Sequence, residues 1–212
     1  MAANAYAAPS FDLGPTVEEF ERKANDDIGY AYVIFERRWS AHPPEWVIAY
    51  RGTENDTLLD WWNGNLWGRQ NARGLATYDD LRMRLGPDAK ISVAGHSLGG
   101  GIATYVSLCR ANTDSYIFNS SPRFRDCYPR AENTRRSVAE TGEVLKGVRI
   151  FGNEATQTYT SVNCMRGVRV VTQHSISALA NCLTGAAAWS DSEARTSLTR
   201  NSIPFPNGLS PS

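Results

Sequence analysis

A chain of 212 residues is long enough for one sizeable domain with one core and too short for two large ones, so we read a single domain over 1–212. The 42% apolar and 21% charged content is that of a folded, soluble protein and excludes a disordered chain. Lys plus Arg (22) equals Asp plus Glu (22), which removes any electrostatic reason to expect nucleic acid as a partner.

No apolar run has the length of a transmembrane helix. Met1 to Phe11 lacks both the basic region and the apolar run of a signal peptide. The expectation is a soluble protein that is either cytoplasmic or exported by a route independent of such a peptide.

Residues 1–15 form a small, polar N-terminal arm or short helix, and Thr16 is placed to cap a helix opening at Val17-Glu18-Glu19-Phe20. Gly29 to Arg38 alternates and is rich in β-formers, predicting a strand, and Glu45 to Tyr50 predicts the next. His42-Pro43-Pro44 makes the turn between them, which leaves His42 as a solvated loop residue. After Arg51-Gly52-Thr53 the stretch from Leu58 to Gly68 holds Trp61, Trp62 and Trp67, half of the six tryptophans.

Gln70 to Leu85 predicts a helix ended by Gly86-Pro87, and Lys90 to Ala94 a buried strand. Gly101 to Cys109 predicts a helix with Ile102, Tyr105, Val106 and Cys109 on one face. Ser115 to Asn119 follows as a strand, then a polar helical stretch from Asn133 to Lys146, then strands at Gly147–Phe151 and Val168–Thr172 and a helix from Ser175 to Leu183. The tail 185–212, rich in Ser, Asn and Pro beyond Trp189, is assigned no element. This alternation predicts an α/β fold, a mostly parallel sheet with helices on both faces.

Gly95-His96-Ser97-Leu98-Gly99 joins the Lys90 strand to the following helix and fits G-x-S-x-G. The pattern describes a sharp turn that holds the serine in a strained backbone conformation, with glycines two residues to either side so that strand and helix pass closely. Ser97 would stand at the top of the sheet. The helix N-terminus beside it would aim unpaired N–H groups at a developing oxyanion.

Such a serine needs a base. His96 is its immediate neighbour, and side chains at adjacent positions of the turn diverge, so His96 is read as a packed residue behind the serine. His174, in a loop after an apolar strand and ahead of a helix, is the candidate base, because sheets of this kind carry their chemistry at strand C-termini. The base in turn needs a carboxylate, expected between the serine and the histidine in chain order. Of the acids there, Asp114, Asp126, Glu132, Glu140, Glu143 and Glu154, only Glu154 lies directly off the end of a predicted strand, with Asp126 second.

The four cysteines, Cys109, Cys127, Cys164 and Cys182, show no metal-binding spacing, so no zinc site is expected, and a serine worked by a base and an acid needs no metal or organic cofactor. Their even number permits one or two disulfides if the protein works outside the cytoplasm. Cys164 and Cys182, which flank the His174 region, are the first candidates for a pair.

Tyr50-Arg51-Gly52-Thr53, Asp60-Trp61, Gly95-His96-Ser97-Leu98-Gly99-Gly100, Ser121-Pro122-Arg123 and His174 together resemble the class 3 lipases, an α/β-hydrolase family of triacylglycerol lipases, phospholipases A1 and esterases, and in particular its compact bacterial members. The resemblance runs from about Tyr30 to Leu183. It implies a serine carboxylic-ester hydrolase acting on glycerolipids through an acyl-enzyme on Ser97, with His174 as base. It also implies an oxyanion hole made by Thr53 and the Leu98 amide.

Glu154 stands where the family usually has Asp. The stretch 54–68 falls where the family often has a lid, and Leu58, Leu59, Trp61, Trp62 and Trp67 would give it a face suited to transient contact with a membrane surface. If the protein is an exported effector, an inhibitor or immunity protein is the further partner expected. The rival readings are a soluble short-chain esterase or thioesterase and a catalytically silent binding module of the same fold.

Overall fold

The computed structural model describes residues 1–7, 10–52, 66–122, 124–142, 145, 155–164 and 174–209. Three antiparallel strands, β1 (Val17–Lys23), β2 (Tyr32–Trp39) and β3 (His42–Tyr50), lead into four parallel ones: β4 (Lys90–His96), β5 (Ser115–Phe118), β6 (Arg135–Glu140) and β7 (Thr158–Val162). They lie in one sheet in the order β1 to β7. The expected strands at Gly147–Phe151 and Val168–Thr172 lie outside the described residues.

Period-two alternation along the strands splits the core. Ile34, Ile48, Tyr50 and Val93 face α1 (Leu66–Leu85) and α2 (Leu98–Cys109), meeting Tyr78, Leu81, Ile102 and Val106. On the other face Val33, Phe35, Val47, Ala49 and Ala94 are covered by the N-terminal segment, whose Ala2 and Ala5 are buried in and beside a short 3-10 turn at Ala3–Ala5. The expected arm is therefore a packed layer. It is tied in place by Asn4, whose side chain pairs with the Phe11 backbone in both directions at 2.6 and 3.0 Å.

Three further expectations are corrected. The segment opening at Val17 is the edge strand β1 and not a helix. Phe20 stacks edge-on against Trp46 with centroids 4.7 Å apart, Glu21 binds Arg84 of α1 at 2.7 Å, and pairing with β2 outweighs the helical preference of a Glu-rich run. Asn133 to Lys146 contains β6 instead of a helix. Its inward positions are Arg135, Ser137 and Ala139, so burial alternates while hydropathy does not. The buried Arg135 guanidinium is satisfied by the carbonyls of Thr156 at 2.6 Å, Ala131 at 3.1 Å and Ser107 at 3.2 Å.

The tail, finally, carries a helix among its described residues. The helix after His174, α3 (Ile176–Ala187), is followed by α4 (Ser192–Arg200), capped by the Asp191 carboxylate accepting from the Glu193 and Ala194 amides. Asn201 at its end is bonded to the Asp12 backbone in both directions. No described helix is long and apolar enough to cross a membrane.

Candidate active site

Strand β4 ends at His96, and α2 begins at Leu98, so Ser97 alone makes the turn. Its backbone sits at φ 56° and ψ −125°, a region L-residues avoid at a cost of about 1–3 kcal/mol. The surroundings hold it there. The Ser97 N–H donates to the Phe118 carbonyl at 3.1 Å, and the Ser97 carbonyl accepts from the amides of Ser121 at 2.9 Å and Gly100 at 3.1 Å. A Cβ added at Gly95 would lie 2.1 Å from the Gly99 carbonyl oxygen, so a side chain there would push helix and strand apart. Leu98, the first residue of α2, has an amide with no acceptor inside the helix.

The parallel register brings Tyr50 beside Gly95, and the chain leaving β3 therefore runs past the serine. Gly52 is pressed into this crossing: a Cβ there would stand 2.6 Å from the His96 carbonyl oxygen and 2.9 Å from Ser97 Cβ. Thr53, the next residue, lies outside the described residues, as do Leu58, Leu59, Trp61, Trp62 and Glu154. Trp67 falls in the first turn of α1, and its side chain is outside the described set.

His174 is brought to the same end of the sheet. It is 7% exposed, its ring centroid lies 4.7 Å from that of His96, and its carbonyl receives a 2.7 Å hydrogen bond from His96 Nε2. The described contacts between the Ser97 region and His174 thus run through His96. Cys164, just past β7, is disulfide-bonded to Cys182 of α3, so the segment carrying His174 is closed by a covalent clasp. The other two cysteines pair as Cys109–Cys127.

Asp126 is placed elsewhere. Its carboxylate is gripped by Arg130 at 2.6 and 2.9 Å, and its neighbour Cys127 is bonded to Cys109 at the far end of α2, about 18 Å from Ser97 at 1.5 Å per residue. Glu140 is one of the acids that sequence reasoning weighed and did not choose. With the segment around it a parallel strand, Glu140 closes β6 at the edge that carries Ser97. It is 1% exposed, and its Oε2 accepts from the Cys164 amide at 3.0 Å. Glu143, three residues on, lies outside the described residues. The criterion that singled out Glu154, an acid off the end of a strand, applies to these two as well.

Tyr6 was passed over, and nothing in the sequence spacing connects it to residue 96. Its hydroxyl lies 2.8 Å from His96 Nδ1 and accepts from the Gly52 N–H at 3.1 Å. Among the described residues no group of three His, Cys, Asp or Glu side chains is placed to hold a metal ion.

The family model described as the Tle-like phospholipase domain, of the phospholipase-like group, matches residues 8–203. The chain belongs to this family. The Tle-like domain here shares the α/β-hydrolase fold with solved fungal lipases. The lipase from Rhizopus microsporus var. chinensis is 13% identical at a TM-score of 0.50, over 68% of this chain and 62% of the other. A triacylglycerol lipase from Penicillium expansum is 13% identical at a TM-score of 0.51, over 76% of each. The Tle-like chain thus spans less than two thirds of the length of the Rhizopus enzyme. No curated protein matches it in sequence.

Proposed function

We propose that this Tle-like domain hydrolyses carboxylic esters of glycerolipids, phospholipid above all, through an acyl-enzyme on Ser97. The observation that carries the reading is the strained turn. One serine is held at positive φ between two touching glycines, with the helix N-terminus on one side, Gly52 on the other and the His174 segment docked next door.

His174 takes the proton as Ser97 Oγ attacks the ester carbonyl. The carbonyl oxygen, now negative, is held by the Leu98 amide and by the backbone N–H and hydroxyl of Thr53, the residue that follows Gly52 in the chain. Collapse expels the alcohol, protonated by His174, and leaves the acyl group on Ser97. Water then enters by the same steps and releases the fatty acid.

A carboxylate orients His174. Glu154 is the candidate from its place after a strand predicted from the sequence, and Glu140, which ends β6 on the edge that carries Ser97, is the second, with Glu143 three residues further along the chain. Leu58, Leu59, Trp61, Trp62 and Trp67 supply the lipid-facing segment. The two disulfides favour work in an oxidising compartment, and with it an exported protein met by an inhibitor or immunity protein.

The test is labelling by a fluorophosphonate followed by peptide mapping, together with product analysis on phosphatidylcholine and triolein vesicles. Modification of Ser97 and release of fatty acid from phosphatidylcholine are expected. Equal rates on dispersed and aggregated substrate would favour a short-chain esterase, and an unlabelled Ser97 would leave only a binding module. Gln in place of Glu154, Glu140 or Glu143 in turn is expected to lower kcat by orders of magnitude at one position only, which identifies the acid.

A further inference from the structure

Four groups from four parts of the chain form one line across the base of the site: the Gly52 amide, the Tyr6 hydroxyl, the His96 ring and the His174 carbonyl, with links of 3.1, 2.8 and 2.7 Å. The polarity of the line follows from its ends. A carbonyl only accepts, so His96 Nε2 carries a hydrogen and donates it to His174. In the neutral ring Nδ1 is then a lone pair, which must accept from the Tyr6 O–H. An amide only donates, and Tyr6 oxygen accepts from Gly52. Every donor meets one acceptor in a single direction.

We propose that Tyr6 and His96 are positioning residues: a hydrogen-bonded strut that fixes the oxyanion segment at Gly52 and the base segment at His174 in one register about Ser97. The inference rests on the reading of Ser97 and His174 given above. It goes beyond that reading in making the N-terminal layer part of the catalytic machinery. The strut is braced at both ends.

Asn4 ties the Tyr6 segment to Phe11, Arg22 of β1 donates to the Asn4 carbonyl at 3.1 Å, and the Cys164–Cys182 bond closes the His174 segment. His96 is 5% exposed, so its ring is largely withdrawn from water. A site whose donors are held in place before the reaction spends nothing on reorganising them as the oxyanion forms. Loss of the strut should therefore lower the rate of the chemical step and leave substrate capture nearly intact.

The test uses the full chain with Tyr6→Phe, His96→Gln and the double variant. Tyr6→Phe removes the hydroxyl and leaves the ring. His96→Gln keeps a donor toward the His174 carbonyl and loses the acceptor facing Tyr6. With a short-chain phosphatidylcholine, Tyr6→Phe is expected to lower kcat and the rate of fluorophosphonate labelling about ten-fold, with KM within about two-fold. Tyr6→Phe should add almost nothing in the His96→Gln background, because both changes cut the same line.

Long-range 1H–15N spectra give an assay-independent readout. His96 should be the Nε2–H tautomer at neutral pH, and Tyr6→Phe should shift both its Nδ1 signal and the Gly52 amide. Independent, additive losses, or unchanged kcat in Tyr6→Phe, would overturn the positioning role. An Nδ1–H tautomer would overturn the strut itself. If the parent chain is neither labelled nor active, the reading of Ser97 falls, and the spectra alone decide whether the strut exists.

Discussion

The two ends of α2 are built for opposite purposes. At the N-terminal end the chain is strained, glycine-lined and short of acceptors: Ser97 at φ 56°, Gly95 against Gly99, and a Leu98 amide with no acceptor in the helix. At the C-terminal end nothing is left open. Cys109 is bonded to Cys127, Arg110 holds Asp79 at 2.6 and 2.7 Å, and Asp126 holds Arg130. One helix thus carries a loaded end and a fastened end. The second supplies the stability that the first spends.

This contrast is sharpest for Ser97→Ala. Turnover should fall by about 10⁴-fold or more, while the melting temperature stays within about 2 °C, because the proposed role of the hydroxyl is chemical and the strained turn is held by backbone hydrogen bonds. Thermal melts and vesicle assays on one preparation check it. Residual turnover near the parent level would move the nucleophile elsewhere.

The disulfides come next, since both join cysteines 18 residues apart and differ only in place. Loop-closure entropy assigns each about 3 kcal/mol of stability. Replacing Cys164 and Cys182 with Ser should lower both stability and kcat, the latter roughly ten-fold, as the His174 segment loosens. Replacing Cys109 and Cys127 with Ser should lower stability by a similar amount and leave kcat at 25 °C within about two-fold. Equal effects on kcat from the two pairs would erase the distinction between the ends.

The smallest effect is expected at Asp126. The Arg130 hydrogen bonds, and after them the Cys127 amide, hold its carboxyl below the usual carboxylate range. A carboxyl depressed in the folded state contributes stability above its unfolded pKa and loses it as pH falls through the folded one. Asp126→Asn should therefore cost under about 1 kcal/mol at pH 7 and nothing in very acid solution. Activity should not change. Denaturant titrations at pH 7 and pH 2.5 check the first statement, and a large loss of kcat would return Asp126 to the site.

The sequence made the loaded end plain because its rule is local. G-x-S-x-G with an apolar strand before it describes one turn completely, and β2, β3, β4 and β5 each carry the β-branched or aromatic residues that a buried strand needs. The pairing of Cys164 with Cys182 was also readable, from their position around His174. What the sequence hid was set by contacts between distant residues.

β6 buries Arg135 and Ser137, so its inward face looks polar, and α4 hides behind a Ser- and Asn-rich composition although Asp191 caps it. β7, Thr158 to Val162, is largely exposed and lacks a buried apolar face. Tyr6 could not be found at all, since its partners lie at residues 52 and 96. Glu140 was hidden for the same reason: a helix over Asn133 to Lys146 leaves it away from any strand end, and only β6 makes it a second candidate beside Glu154.

The strands stand side by side in the order in which the ribosome makes them. Each new strand finds its neighbour already laid down, and the sheet grows from one side without threading. Ser97, the proposed nucleophile, is made well before His174, the proposed base. On the proposed reading a half-made chain holds Ser97 without His174, and the site is complete only when the last third of the polypeptide folds back onto the first six residues.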